Sequence, residues 1–163
     1  MIEIKTTILI FFLITALGYS QTPEQSYFEW TDLSFTKEEL DQRRDKLMSL
    51  LATKQKTGLV LIPARDGYSH GETFRQADDF YYFTGLELPN AILVLDLRDR
   101  SGLIYTPERD LRFESSTRKN DFPGRPLLSD KTITERAGIK LASFNDFSAL
   151  MDLEASKSST VFI

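Results

Sequence analysis

The sequence predicts an α/β domain, a mixed β-sheet flanked by helices on both faces. Two observations predict it. Short apolar runs bounded by Gly and Pro alternate with segments that carry helix caps, and one neighbouring pair of runs is close enough to be a hairpin. The expected order is helix, strand, helix, strand, strand, helix, strand, helix, strand. The composition agrees: 41% of the 163 residues are hydrophobic and 27% charged, the balance of one ordinary globular domain. A domain of this size buries a core without covalent staples. The cysteine count is 0, which excludes a disulfide framework, a thiol nucleophile and a cysteine zinc site. A formal net charge of -4 argues against a nucleic-acid or anionic-membrane partner.

Residues 1–20 are a different material. Lys5 is followed by an almost wholly apolar run from Ile8 to Leu17, and Gly18 and Ser20 place small residues ahead of Gln21. That layout predicts a secretory signal peptide cleaved before Gln21. The run is too short to span a bilayer, which takes ~20 residues. The expected product is therefore exported, periplasmic or secreted, with no stable membrane span after cleavage. Cleavage removes Glu3 and Lys5 together, so the charge is unchanged.

Residues 21–34 read as an extended lead-in, and residues 35–163 as the domain. Thr36 and Glu39 form a capping box, and Leu40, Leu47, Met48 and Leu51 recur at helical spacing, so a helix is expected over 37–52. Leu59 to Ile62, between Gly58 and Pro63, read as a strand buried on both faces. Asp78 or Asp79 would cap a short aromatic helix that Gly85 ends. Within it Phe80, Tyr82 and Phe83 would supply core area. Ala91 to Leu97 form the clearest strand; Asp99 to Gly102 turn it, and Leu103 to Thr106 return. Residues 107–126 are polar and surface-covering. Asp130 would cap a short helix that Gly138 stops, Lys140 to Phe144 read as a strand, Asn145 would cap a helix over 146–153, and Ser159 to Ile163 begin a strand. An apolar strand with no polar tail leads to the expectation that the parent polypeptide continues past Ile163.

The stretch Phe74-Arg75-Gln76-Ala77-Asp78-Asp79-Phe80-Tyr81-Tyr82-Phe83-Thr84-Gly85, followed by Leu86-Glu87-Leu88-Pro89 and the strand after it, resembles the signature of aminopeptidase P amino-terminal domains. Arg43-Arg44 upstream and the Leu59 strand match in order and spacing. The likeness is close over 35–97 and loose beyond. It implies the ribonuclease-H-like mixed sheet of the creatinase and prolidase amino-terminal domain. It also implies a full-length Xaa-Pro aminopeptidase that releases the residue preceding proline with a two-metal centre, commonly manganese. In that family two Asp, one His and two Glu hold the metals in a carboxy-terminal pita-bread domain. No counterpart of those motifs is present, so no catalytic, cofactor-binding or metal residue is carried over. The resemblance thus implies a fragment of a metalloaminopeptidase, with a catalytic domain, a peptide substrate and homo-oligomerisation belonging to the full-length form. Arg75, Gln76, Tyr81 and Tyr82 are the candidates for a contribution to a cleft or interface, and Arg75 is expected to pair with a carboxylate or with helix carbonyls. The family's aromatic-Gly-Arg-Arg stretch has only Pro123-Gly124-Arg125 as a counterpart.

Other constellations are weaker. Asp78 and Asp79 with Glu72 could be an acidic metal cluster, but acidic pairs at a helix start usually serve the helix. A Ser-His-Asp triad would need His70, the 1 histidine, to be oriented by an acid beside a serine, and Ser69, adjacent in sequence, is expected to point away. Lys54, Lys56 and Arg65 are not interleaved with aromatics as a single-strand binder requires. The function alternative to an enzyme part is a stand-alone exported module that binds peptide or a partner; a degenerate hydrolase is a third reading.

Overall fold

A computed structural model describes residues 35–67, 74–108, 128, 131–157 and 159–163. The expected signal peptide, the lead-in, Ser69, His70, Glu72, the Pro123-Gly124-Arg125 stretch and the Asp130 cap lie outside the described residues.

The elements follow the expected order. Helix α1 (Lys37–Thr53) opens where Thr36 Oγ1 accepts from the Glu39 amide at 3.2 Å. Strand β1 (Leu59–Pro63) follows, then helix α2 (Asp78–Thr84), strands β2 (Ile92–Asp96) and β3 (Ser101–Thr106), helix α3 (Lys131–Ala137), strand β4 (Lys140–Ser143), helix α4 (Phe144–Ser156) and strand β5 (Val161–Phe162). The sheet order is β4-β3-β2-β1-β5. The β1, β2 and β3 strands form an antiparallel meander, while β5 runs parallel to β1 and β4 parallel to β3. This mixed sheet is the predicted architecture.

Strand alternation sorts the core onto two faces. Val60, Ile62, Leu93, Leu95 and Ile104 point to one side, where they meet Leu40 and Met48 of α1, Phe80 of α2 and Ile133 of α3. Leu59, Val94 and Tyr105 point to the other, against Phe147 and Leu150 of α4. Helices therefore cover both faces, three on one and one on the other.

Several local expectations are corrected. Neither Asp78 nor Asp79 caps α2: the N-cap is Ala77, with no side-chain cap bond, and both aspartates lie in the first turn, where their charge favours the helix dipole. Tyr82 is 49% exposed, because two residues along a helix turn a side chain about 200° from buried Phe80. Helix α4 is capped by Ser143, whose Oγ accepts from the Asn145 amide at 3.2 Å, two residues before the expected cap. Ser101 and Gly102 are strand, paired with Asp96 and Leu95. Gly58 has φ +113°, and a Cβ there would fall 2.0 Å from the Thr160 carbonyl oxygen, so a side chain would push β5 off β1.

Candidate functional site

The signature segment wraps the carboxyl end of α2. Its small and apolar members build the wall: Phe74, Phe80, Leu86 and Leu88 are all buried. Thr84 donates to the Phe80 carbonyl at 2.7 Å and accepts from the Leu86 amide at 3.1 Å, so one hydroxyl serves both sides of the helix end. Gly85 takes the left-handed conformation at φ 65° and closes the helix onto the Tyr81 carbonyl at 2.7 Å.

Gln76 is 6% exposed and is spent on backbone. Its Oε1 accepts from the amides of Arg65 at 2.7 Å and Ala77 at 2.8 Å, and its Nε2 donates to the Leu88 carbonyl at 2.9 Å. The side chain clips together the chain leaving β1, the start of α2 and the approach to β2. It also supplies the amide partner at the α2 start that the aspartates do not.

Two arginines of α1 hold the other end of α2. Arg43 donates from Nη1 to the Tyr82 carbonyl at 2.8 Å and pairs with Glu39. Its guanidinium lies 3.9 Å from the Phe35 ring centroid and 4.4 Å from that of Tyr82. Arg44 is 5% exposed. It donates to the Phe83 carbonyl at 2.7 Å and to the Ala137 carbonyl at 2.8 Å, and bonds Asp41. One side chain thus gathers the carboxyl ends of α2 and α3, where helix dipoles favour a cation. Burial lowers its pKa and Asp41 opposes that.

The periodicity argument missed Arg44. The signal was present: position 44 stands four residues from both Leu40 and Met48, on the buried stripe, and a charge on such a stripe needs partners.

Among the described residues the four candidates lie in different settings: Gln76 is buried, Tyr81 half-buried, and Arg75 and Tyr82 exposed. Arg75 is exposed, and the Tyr82 and Phe83 carbonyls at the end of α2 accept from Arg43 and Arg44. Tyr81 is half-buried, packed edge-on to Phe35 at 6.4 Å, with its hydroxyl pKa raised by burial and by Glu87. Burial also raises the Glu87 carboxyl. Tyr82 presents its ring to Arg43 on one side and to solvent on the other.

A groove of about 270 Å³ opens beside α1, between Met48, Leu95 and Ile139. Its charged groups are already paired, Arg44 with Asp41 and Arg100 with Asp45 at 3.2 Å. Among the described residues no group of three or more His, Asp or Glu could hold an ion.

These features define a class: an α/β scaffold in which Phe74, Gln76, Phe80 and Thr84 of the signature are buried. The profile for the aminopeptidase P amino-terminal domain matches residues 40–119. Residues 40–119 thus carry the domain of that family. Among solved structures it is similar to aminopeptidase P from E. coli in a low-pH form, at 25% identity and a TM-score of 0.55, covering 72% of this chain and 26% of that one. It also resembles Icp55 from Saccharomyces cerevisiae, lacking its amino-terminal 58 residues, at 21% identity and a TM-score of 0.58, over 78% of this chain and 29% of that one. The second likeness is one of fold. The chain spans less than a third of either structure. Comparison with curated protein sequences found no match. Among the described residues no helix is long and apolar enough to cross a membrane.

Proposed function

We propose that this chain is the non-catalytic amino-terminal part of a Xaa-Pro metalloaminopeptidase and does not cleave peptides alone. In this reading residues 35–163 pack against a carboxy-terminal catalytic domain, help to build an oligomer and narrow the cleft to peptide amino termini. Manganese and the bond-breaking groups belong to that other domain. The observation that carries the reading is the engagement of Arg43, Arg44, Gln76 and Thr84 with backbone: the polar members of the signature hold the fold. Arg75 and Tyr82, exposed along with Asp78 and Asp79, supply surface that the segment offers to a cleft or a neighbouring subunit.

The test is direct. The purified chain, given manganese and a peptide with proline in second position, should release no free amino acid. Turnover that follows the chain through purification overturns the proposal. Saturable peptide binding without cleavage would instead favour a stand-alone binding module. We also propose export through residues 1–20. Mass spectrometry of the mature protein should find Gln21 at its amino terminus, and an intact Met1 end would contradict this.

A further inference from the structure

We propose that Arg98 and Glu154 form an ionic latch that docks the carboxyl half of α4 together with β5, so that this segment opens as a unit separately from the rest of the sheet.

The argument begins with what holds α4. Its apolar anchors, Phe147 and Leu150, lie in its first half and pack beside Tyr105. Beyond them Leu153 is 51% exposed. Glu154, at 2% exposure, is the residue of this helix that is buried. The second half of the helix is therefore held inward by a carboxylate where a globular helix ordinarily places an apolar side chain.

That carboxylate has a built partner. Arg98, just beyond β2, donates from Nη1 to Glu154 Oε2 at 2.9 Å and from Nη2 to Oε1 at 3.1 Å. Asp96 pre-orients the guanidinium, accepting from Nε at 2.8 Å and from Nη2 at 2.6 Å. Lys157 adds a contact to Glu154 Oε1 at 3.4 Å. The fork-on-carboxylate geometry fixes direction as well as distance. The Glu154 carbonyl also accepts the Ser159 amide at 3.1 Å, so the residue that is latched also sets the path into β5.

Among the described residues, the segment beyond the latch is held by its pairing with β1 and by half-buried Phe162, which packs on the core. Strand β5 has 2 residues and pairs on one side with β1, with Leu59 opposite Val161 and Val60 opposite Phe162. Leu59 donates to the Thr160 carbonyl at 3.0 Å. By contrast β1 and β2 pair over five positions from Leu59↔Asp96 to Pro63↔Ile92. Regions with few buried apolar contacts open first, and they do so as cooperative units.

Native-state hydrogen exchange on the full chain tests this. The Leu59 amide reports β5 docking, and the Ala64 amide, bonded to the Ala91 carbonyl at 2.8 Å, reports the β1–β2 pairing. In the wild-type chain Leu59 should exchange faster than Ala64, through an opening that low denaturant does not accelerate. Glu154→Gln should speed Leu59 exchange about tenfold or more while leaving Ala64 within about twofold. Arg98→Ala should speed it further, because it strands a buried carboxylate. If Arg98→Ala fails to fold, the wild-type comparison and Glu154→Gln still decide. Equal acceleration of Leu59 and Ala64 would show a global loss of stability and overturn the latch. So would an unchanged Leu59 rate in Glu154→Gln.

Discussion

Replacing Arg44 by Met should destabilise the fold severely while leaving the volume of the site nearly filled. The side chain is 5% exposed and makes charge-assisted bonds to the Phe83 and Ala137 carbonyls and to Asp41. Each such bond contributes about 1.5–3 kcal/mol, and an acceptor left buried without a donor costs about 1–3 kcal/mol. The bonds are not additive, and releasing the guanidinium from its buried site returns part of the loss, as its lowered pKa indicates. Asp41, 43% exposed, returns to water, so the loss comes mainly from the Phe83 and Ala137 carbonyls left without their donor and is expected at about 3–5 kcal/mol in all. Domains are stable by about 5–15 kcal/mol, so the loss is a large fraction of the total. Urea unfolding followed by circular dichroism should show the midpoint falling by about 1–3 M, given slopes of ~1–3 kcal/mol/M. Arg44→Lys should recover only part of this, because an ammonium lacks the planar fork that spans two carbonyls. A loss under about 1 kcal/mol for Arg44→Met would refute the view that this residue joins α1, α2 and α3.

Arg43→Met should cost less, about 1–2 kcal/mol, since Arg43 serves one carbonyl where Arg44 serves two, and that carbonyl belongs to the exposed Tyr82; a loss equal to that of Arg44→Met in the same urea experiment would contradict the assignment. Gln76→Glu keeps an acceptor for the Arg65 and Ala77 amides but points a carboxylate oxygen at the Leu88 carbonyl in place of a donor, so unfolding should show a loss of about 1–3 kcal/mol at neutral pH that shrinks as the acid protonates. Gly85→Ala should cost about 1–2 kcal/mol for its φ of 65°, and Gly85→Asn less, measured by the same melts. Stability should also fall in acid. The Arg98 guanidinium, with help from Ser159 and Lys157, holds the Glu154 carboxyl down to about 2 from an ordinary 4.5, and Arg98 lowers Asp96 as well. A carboxyl depressed on folding contributes fully above its unfolded value, and the contribution is lost as pH falls from about 4.5 towards 2. Glu87, raised by burial, works in the opposite direction. Urea midpoints between pH 6 and 2 should therefore drop, and the drop should be smaller in Glu154→Gln; an identical drop would contradict the pairing.

The sequence carried the element order because each boundary has a local chemical marker. Thr36, Gly85 and Gly138 mark helix ends, and the run at Leu59 and the run at Ile92 are too apolar to be anything but interior strand. What failed was choice among adjacent candidates. Asp78, Asp79 and Asn145 all have the chemistry of a cap, but capping depends on which residue stays extended, and that is set by neighbours. Ala77 is extended because Gln76 ties its amide, and Ser143 because β4 ends there. The role of Gln76 could not be read from spacing, since its partners lie at Arg65 and Leu88, on separate loops. The twofold use of Arg44 is also non-local, with Ala137 93 residues away. Only the need for some partner was visible, in a charge on an apolar stripe.

The central claim is that the buried polar side chains of the signature segment, Gln76 and Thr84, hold the fold by bonding backbone and do not serve as ligand contacts. The side-chain amide of Gln76, observed by NMR while a peptide with proline in second position is titrated into the purified chain, tests it most directly. The account predicts a Gln76 signal that stays in place and exchanges slowly throughout. A saturable shift of that signal, with the surrounding core resonances unmoved, would contradict it.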